Sequence, residues 1–359
     1  MTDKKSNNLN ILYISPTFVG GIGGHAFRVS EKLNQNNFDI ELMKIPHIPI
    51  KNLKNPSFTI FGKMKTILNK KSYDLVHAWN VPSGIIMKNI NAKKKILSIH
   101  GMYSEQVDAI HSKSISKLGK IAEKNAIENA DILTTDSKFV QKTYYEKFGL
   151  KIEYLPAPLD VNKFINISKS KLKNQVVFIG RDSHEKGIDI LKTIESSINS
   201  KVIYCTNIDW VETMKILQQS KLLVVPSRQE SLPQVIKEAF YLKVPVIATN
   251  VGGIPELVEH NQTGILVPSQ NPEKLKIAIN DLLENFELFR DHLVLEERQA
   301  GLTQLHIHSR SGTDSHYLDF GEPAYLAYSQ DNYDFNTPVL RFAYTSLTTP
   351  ETIYDYHMD

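Results

Sequence analysis

Hydrophobic positions along this chain fall into two textures. From residue 10 to about 283, short unbroken apolar runs alternate with stretches in which apolar residues recur every three or four positions. NILYISP (10–16), FDIELMKIP (38–46), DLVHAWN (74–80), KKILSIH (94–100) and ADILTTD (130–136) predict strands buried on both faces. SISKLGKIAEKNAIENA (114–130) predicts a helix between the last two, and such alternation predicts a parallel, doubly wound sheet. EYLPAPLDVNKF (153–164), with Pro156 and Pro158, breaks the period and predicts a linker. A second series follows: QVVFIG (175–180), a helix from about Gly187, KVIYC (201–205), a helix around 210–219 and KLLVVPS (221–227). It continues with an amphipathic helix bearing Leu232, Val235, Ile236, Ala239 and Phe240, then VPVIAT (244–249), TGILVP (263–268) and a helix over 272–283. Beyond about 285 the texture changes. HLVLEER, TQLHIHSR, HYLDF, YLAYS, VLRFAYTS and TIYDYHMD predict short strands between Gly, Pro, Asp and Asn turns, as in a propeller or sandwich. The expected organisation is a Rossmann-like domain over 1–155, a second over 156–284 and an all-β tail over 285–359.

Charge sharpens the second boundary. All 35 lysines lie in residues 1–276, which carry a net charge of +13, whereas the last 83 residues have none and carry −10. So abrupt a change in usage reads as a junction between segments of different origin. Otherwise the chain, 41% hydrophobic and 23% charged, has the composition of a soluble globular protein. No apolar run reaches the roughly 18 residues of a spanning helix. The polar start MTDKKSNNLN lacks the core of a secretory signal. A lone cysteine, Cys205, leaves no internal disulfide framework, reads as a small buried hydrophobe and fits a reducing cytoplasm. No nucleic-acid partner is expected. Residues 51–73 mix six lysines with Phe58, Ile60, Phe61, Met64, Ile67 and Leu68. They read either as a helix packed on the sheet with a solvated basic face, or as a segment resting on an anionic membrane at the inner face of the cell.

Candidate chemistry concentrates in RQESLPQVIKEAFYLKVPVIATNVGGIPELV (228–258). Glu230 falls in the loop at a strand's carboxyl end, where open α/β sheets bind ligands, and Glu238 follows eight positions later on the helix. Gly252 and Gly253 form a turn after the next strand. In GRDSHEKGIDIL (180–191), Arg181 and Lys186 surround a strand-to-helix turn, the elements of a phosphate site. Gly20, Gly21, Ile22, Gly23 and Gly24 predict a flexible loop before a helix, able to bring bare N–H groups to an anion. His100 ends a strand and is either a structural or a site residue; His25, His77 and His184 read as structural or solvated. There is no Asp-x-Asp and no ligand cluster at metal spacing, so neither a metal nor another cofactor is expected.

The Glu230/Glu238 pair followed by PVIATNVGGIPELV resembles the nucleotide-sugar site of retaining GT-B glycosyltransferases (group 1, family-4-like), over roughly residues 9–284. The resemblance implies two Rossmann-like domains facing a cleft. It implies that Arg181 and Lys186 grip the donor diphosphate, that Glu238 binds the ribose hydroxyls, and that Glu230 and His100 lie at the donor sugar. Gly21, Gly23, Gly252 and Gly253 would add backbone amides. The implied reaction moves a hexosyl group from a UDP- or GDP-sugar to a cell-surface glycan or lipid-linked acceptor, with front-face retention of configuration. Two departures stand against the family pattern: a strand–helix unit missing from the second domain, and a tail in place of the final helix that crosses back to the first. The tail resembles the last propeller strands of oligopeptidase B, of the prolyl oligopeptidase type. No G-x-S-x-G elbow accompanies it, so it implies no peptidase activity. A rival reading is therefore an inactive chimera of a glycosyltransferase and a peptidase propeller fragment, with a tail that folds poorly by itself.

Overall fold

The computed structural model describes residues 9–359 apart from 20, 37, 49, 51–52, 104–112, 168–172, 285, 300–301, 310–313, 331, 333 and 335. Gly20 and Lys51 thus lie outside the described residues. The chain divides into two compact units. One holds Met1–Leu159 with Glu230–Gln234 and Gly252–Glu256; the other holds Asp160–Gln229, Val235–Val251 and Leu257–Asp359.

The first unit is built on β1 (Asn10–Ile14), α1 (Gly21–Asn34), β2 (Asp39–Met43), α2 (Lys54–Ile67), β3 (Ser72–Ala78) and α3 (Val81–Met87). It continues with β4 (Asn91–Ser98), α4 (Lys113–Glu128), β5 (Ile132–Thr135), α5 (Lys138–Phe148) and β6 (Glu153–Tyr154). Six parallel strands run in the order β2-β1-β3-β4-β5-β6. Helices cover both faces, which is why the strands are apolar without alternation: Leu12, Ile14, Val76, Ala78 and Leu97 are fully buried. Local signals set the helix ends. Asn80 accepts from the Ser83 N–H (2.9 Å) to start α3, and Gly149, in the left-handed region (φ 64°), ends α5.

Two expectations are corrected here. The 153–164 segment is not wholly linker, because Glu153 and Tyr154 pair with Thr134 and Thr135 as the edge strand; a two-residue strand has no period to read. Gly21, Ile22, Gly23 and Gly24 are not a loop before α1 but its first turn. A Cβ on Gly23 would lie 2.0 Å from the Thr17 carbonyl oxygen, so the glycine serves close packing against the incoming chain.

The second unit opens with β7 (Lys173–Ile179), α6 (Ile188–Ile194), β8 (Lys201–Cys205), α7 (Trp210–Gln218) and β9 (Ser220–Val225). Then come α8 (Gln234–Tyr241), β10 (Val246–Thr249), β11 (Ile265–Val267) and α9 (Pro272–Glu284). Its parallel strands run β11-β10-β9-β7-β8 over a core including Val176, Leu222, Val224, Ile247 and Ile279. Cys205 is buried there, and burial followed by the nearby Glu212 charge pushes its thiol up to about 11, as befits an inert hydrophobe. The helix expected from Leu232 starts only at Gln234, since Pro233 disfavours helical backbone in the residue before it.

The tail forms two antiparallel sheets: β12 (Phe286–Leu288), β13 (His292–Gln299), β14 (Leu302–Ser309) and β15 (Ser315–Tyr317), then β16 (Tyr325–Ser329), β17 (Val339–Ser346) and β18 (Thr352–His357). They enclose a core of Phe289, Val294, Leu305, Ile307, Leu340 and Phe342, so these strands bury apolar faces against each other. β18 remains an edge, with Ile353 and Tyr354 exposed.

Within the first unit, the Glu256 carboxylate caps α5, accepting from the N–H groups of Lys138 (2.9 Å) and Phe139 (2.7 Å) and from the Ser137 hydroxyl (2.7 Å). An anion at a helix N-terminus satisfies orphan donors and the helix dipole together. Glu256→Ala is expected to lower stability by about 1–2 kcal/mol and Glu256→Gln by less, measured by urea denaturation. Equal stability of all three proteins would remove the capping role.

Candidate functional site

Strand order locates ligand sites in open α/β sheets: they form at the carboxyl ends of two strands whose connections leave in opposite directions. In the second unit that point lies between β7 and β9, because β8 flanks β7 on one side and β9 on the other. Arg181 lies two residues past the end of β7, and Lys186 closes the short 3-10 turn 184–186 after it. Gly187 comes next, in the left-handed region (φ 67°), and a Cβ there would lie 2.0 Å from the Pro226 carbonyl oxygen just past β9. The two loops are stitched further: the Glu185 carbonyl accepts from the N–H of Arg228 (2.8 Å) and of Gln229 (3.3 Å).

Side chains extend that stitching. Arg228 grips Asp189 bidentately (2.7 and 2.7 Å) and donates to the His184 carbonyl (2.8 Å). The Arg228 hydrogen bond holds the Asp189 carboxyl below its usual range. Arg181 is three-quarters exposed, with one guanidinium nitrogen 3.0 Å from Glu185 Oε1. Burial works against ionisation of Glu185, but its own amide, Ser183, Arg181 and Lys186 prevail and hold its carboxyl below the ordinary value. The arginine is thus held by a carboxylate while its remaining donors face solvent. Glu238 lies on α8, where the Trp210 indole N–H donates to its Oε1 (2.8 Å). This bond orients the Glu238 carboxylate.

Glu230 belongs with the first unit, on the loop before α8. Gly252 (φ 56°) rests on it: a Cβ would lie 1.8 Å from the Glu230 carbonyl oxygen, and one on Gly253 would lie 1.9 Å from that of Ser231. Ser231 Oγ is buried without a hydrogen-bond partner among the described residues.

The first sheet's switch point lies between β1 and β3. The glycine turn of α1, with Gly21 and Gly23, follows β1. Trp79 directly follows β3, and its backbone N–H bonds to the Ile14 carbonyl (3.0 Å). His100 follows β4, with Nδ1 3.0 Å from Asp136 Oδ1 and Nε2 buried without a partner among the described residues. Because a carboxylate only accepts, Nδ1 carries the hydrogen and Nε2 of the neutral ring is an acceptor. The structure therefore brings His100 and the α1 turn to one edge. It adds Trp79 and Asp136, which the sequence did not single out: both sit at strand ends where apolar and acidic residues are common. His25 and His77 are ring neighbours of Trp79 (5.4 and 4.2 Å between centroids). Among the described residues, no group of three or more His, Cys, Asp or Glu side chains is gathered as for a metal ion.

Comparison with known proteins fits this geometry. Residues 161–285 match the family model for glycosyl transferases group 1, and residues 263–359 match that for the prolyl oligopeptidase N-terminal β-propeller domain. The chain is 27% identical over 315 residues to an uncharacterized glycosyltransferase of Methanocaldococcus jannaschii, covering 76% of this chain and 87% of that one. Sucrose-phosphate synthase from Thermosynechococcus elongatus superposes with a TM-score of 0.60 at 19% identity, over 76% of this chain and 89% of that one. Anabaena HepE in complex with UDP-glucose gives 0.55 at 16% identity, over 77% and 90%. These likenesses bear out the resemblance to group 1 glycosyltransferases, the GT-B fold with its two Rossmann-like sheets, and the propeller-like character of the tail. They support the expectation of a glycosyltransferase.

His77 is fully buried beneath this edge, its Nε2 2.7 Å from Ser98 Oγ, which lies 2.8 Å from Thr134 Oγ1. Burial, with smaller contributions from His100 and His25, pushes it down to about 3. Below the unfolded value of about 6.5 the unfolded chain binds a proton that the fold refuses, so stability falls with falling pH. Between pH 6.5 and 5 this costs roughly 2 kcal/mol. His77→Gln, which does not titrate, is expected to flatten the pH dependence of urea denaturation over that range; an unchanged slope would refute the assignment.

Proposed function

We propose that this chain transfers a hexosyl group from a UDP- or GDP-sugar, with retention of anomeric configuration and without a divalent metal, to a cell-surface glycan or lipid-linked acceptor. The observation that carries the reading is the cationic pair Arg181 and Lys186 at the switch point of the second sheet. Departure of a nucleoside diphosphate needs its developing charge neutralised, and fixed cations do this without reorganising. In this reading they act on the diphosphate where other enzymes use a metal. Glu238, oriented by Trp210, accepts from the ribose hydroxyls. Glu230, set by the Gly252–Gly253 turn, lies along the sugar. His100 Nε2 accepts from a sugar hydroxyl, and Gly21 and Gly23, in the first turn of α1, offer backbone N–H groups that have no intrahelical acceptor. The lone buried Cys205 suits a cytoplasmic setting.

A donor screen following nucleotide release tests this. Arg181→Ala and Glu238→Ala are each expected to lose about 30- to 150-fold in transfer, from charge-assisted contacts of about 2–3 kcal/mol, and EDTA is expected to leave the wild type active. Full activity in either variant would sink the site assignment, and complete loss on chelation would sink the metal-free mechanism. The overlap of the two family matches over 263–285 favours a second reading, an inactive chimera. It predicts no turnover by the full chain with any donor, whereas our reading predicts turnover that survives a stop after residue 284.

The acceptor side offers a membrane contact. Helix α2 buries Phe58, Gly62 and Thr66 on one face, and on the opposite face Ile60 (58%), Met64 (60%) and Ile67 (69%) are exposed, bordered by Lys63 and followed past the helix end by the exposed Lys70. An outward apolar stripe edged with lysines suits an anionic leaflet, each lysine adding about 1 kcal/mol. Among the described residues, no helix is long and apolar enough to cross a membrane. The full chain is expected to float with liposomes containing phosphatidylglycerol and not with neutral ones. Equal behaviour with both would rule the contact out.

A further inference from the structure

Trp79 is 3% exposed, and its indole N–H has no acceptor among the described residues. The ring cannot turn to find one. It stacks on His77 at 4.2 Å between centroids and 22° between planes, and the rings of Tyr13 (5.3 Å, 61°) and His25 (5.4 Å, 77°) pack against it at steep angles. The His100 ring lies nearly parallel, 7° off, at 6.3 Å. A buried donor without a partner is costly and rare in native proteins, and calls for a cause. This one stands at the switch point of the first sheet, directly after β3, where the fold places ligands. The neighbouring unsatisfied atom is His100 Nε2, which in the neutral ring is an acceptor because Nδ1 carries the hydrogen toward Asp136. A buried donor and, on the neutral imidazole, an acceptor on parallel rings call for a ligand whose groups both give and take hydrogen bonds. A phosphate or carboxylate answers only the indole; the hydroxyls of a sugar answer both.

Resting on the function proposed above, we propose that the Trp79 indole N–H is a specificity-determining contact to a sugar hydroxyl, and that Asp136 positions His100 beside it as the matching acceptor. The sugar belongs either to the donor or to the acceptor, and the experiment separates the two. Trp79→Phe keeps the ring and deletes the N–H. Wild type and variant are titrated with nucleotide alone, with nucleotide sugar, and with free hexose or glycan fragments. The expected result is roughly tenfold weaker binding of one sugar-bearing ligand, unchanged binding of the bare nucleotide, and a melting temperature that stays level or rises. Weakening confined to the nucleotide sugar assigns the contact to the donor; weakening confined to the free sugar assigns it to the acceptor. Unchanged affinity in both sugar arms overturns the proposal and leaves a water or packing role. A wild type that binds no nucleotide sugar but binds free sugar more tightly than Trp79→Phe defeats the proposed donor reaction while sustaining this contact. A wild type that binds sugar in neither arm overturns both.

Discussion

Main-chain contact at positions where no Cβ fits is the constraint on which both candidate edges depend. Gly187 meets the Pro226 carbonyl, Gly252 meets that of Glu230, and Gly23 meets that of Thr17, each leaving about 2 Å or less for a side chain. Gly187 and Gly252 also take left-handed backbone that other residues adopt only under strain. These contacts lie in the loops and first helical turns at the carboxyl ends of parallel strands, beyond the end of the sheet ladder. Packing backbone on backbone there converts flexible connections into rigid platforms. A charged side chain mounted on such a platform holds its position before a ligand arrives, which is the condition for electrostatic catalysis.

The polar side chains at these edges are restrained by partners. Glu185 holds Arg181, Trp210 holds Glu238, and Asp136 holds His100. Each pairing uses one valence of a multivalent group or sets a tautomer. Arg228 is the contrast: both terminal nitrogens are bound to Asp189 and one also to the His184 carbonyl. It holds the β7 and β9 loops together, and of its nitrogens Nε is buried without a partner among the described residues.

How much of this was legible beforehand follows from range. The strands of both sheets were readable because burial on both faces writes an unbroken apolar run, and the tail strands because one-sided burial writes alternation. Arg181 and Lys186 were candidates because they surround a strand-to-helix turn, and Glu230 and Glu238 because their spacing precedes the PVIATNVGGIPELV run. Failures came where a signal is carried by something distant. The two-residue β6 is defined by its pairing with Thr134 and Thr135, not by its own residues. The glycines of α1 looked like a loop because helix propensity disfavours them, yet packing against Thr17 overrides propensity. Glu256 reaches across 118 positions to cap α5. Trp79 reads as the end of an apolar strand; only the three-dimensional neighbourhood reveals that its N–H lacks an acceptor.

The lysine-free tail raises a different question of consistency. Where local and global preferences agree, a segment specifies its own structure, and here the alternating strands do collapse on a shared core of Phe289, Leu305 and Leu340. Yet β18, an edge strand among the described residues, exposes residues on both of its faces, Ile353 and Tyr354 among them. Propeller strands normally find a neighbour in the next blade. The family matches for the two halves also overlap, at α9 and the strand before it, so the second Rossmann-like sheet and the propeller-like strands claim the same residues. In the fold α9 serves the Rossmann sheet: Leu275 and Ile279 are buried in its core. The change of architecture therefore falls after α9, at the point where lysine usage has already stopped.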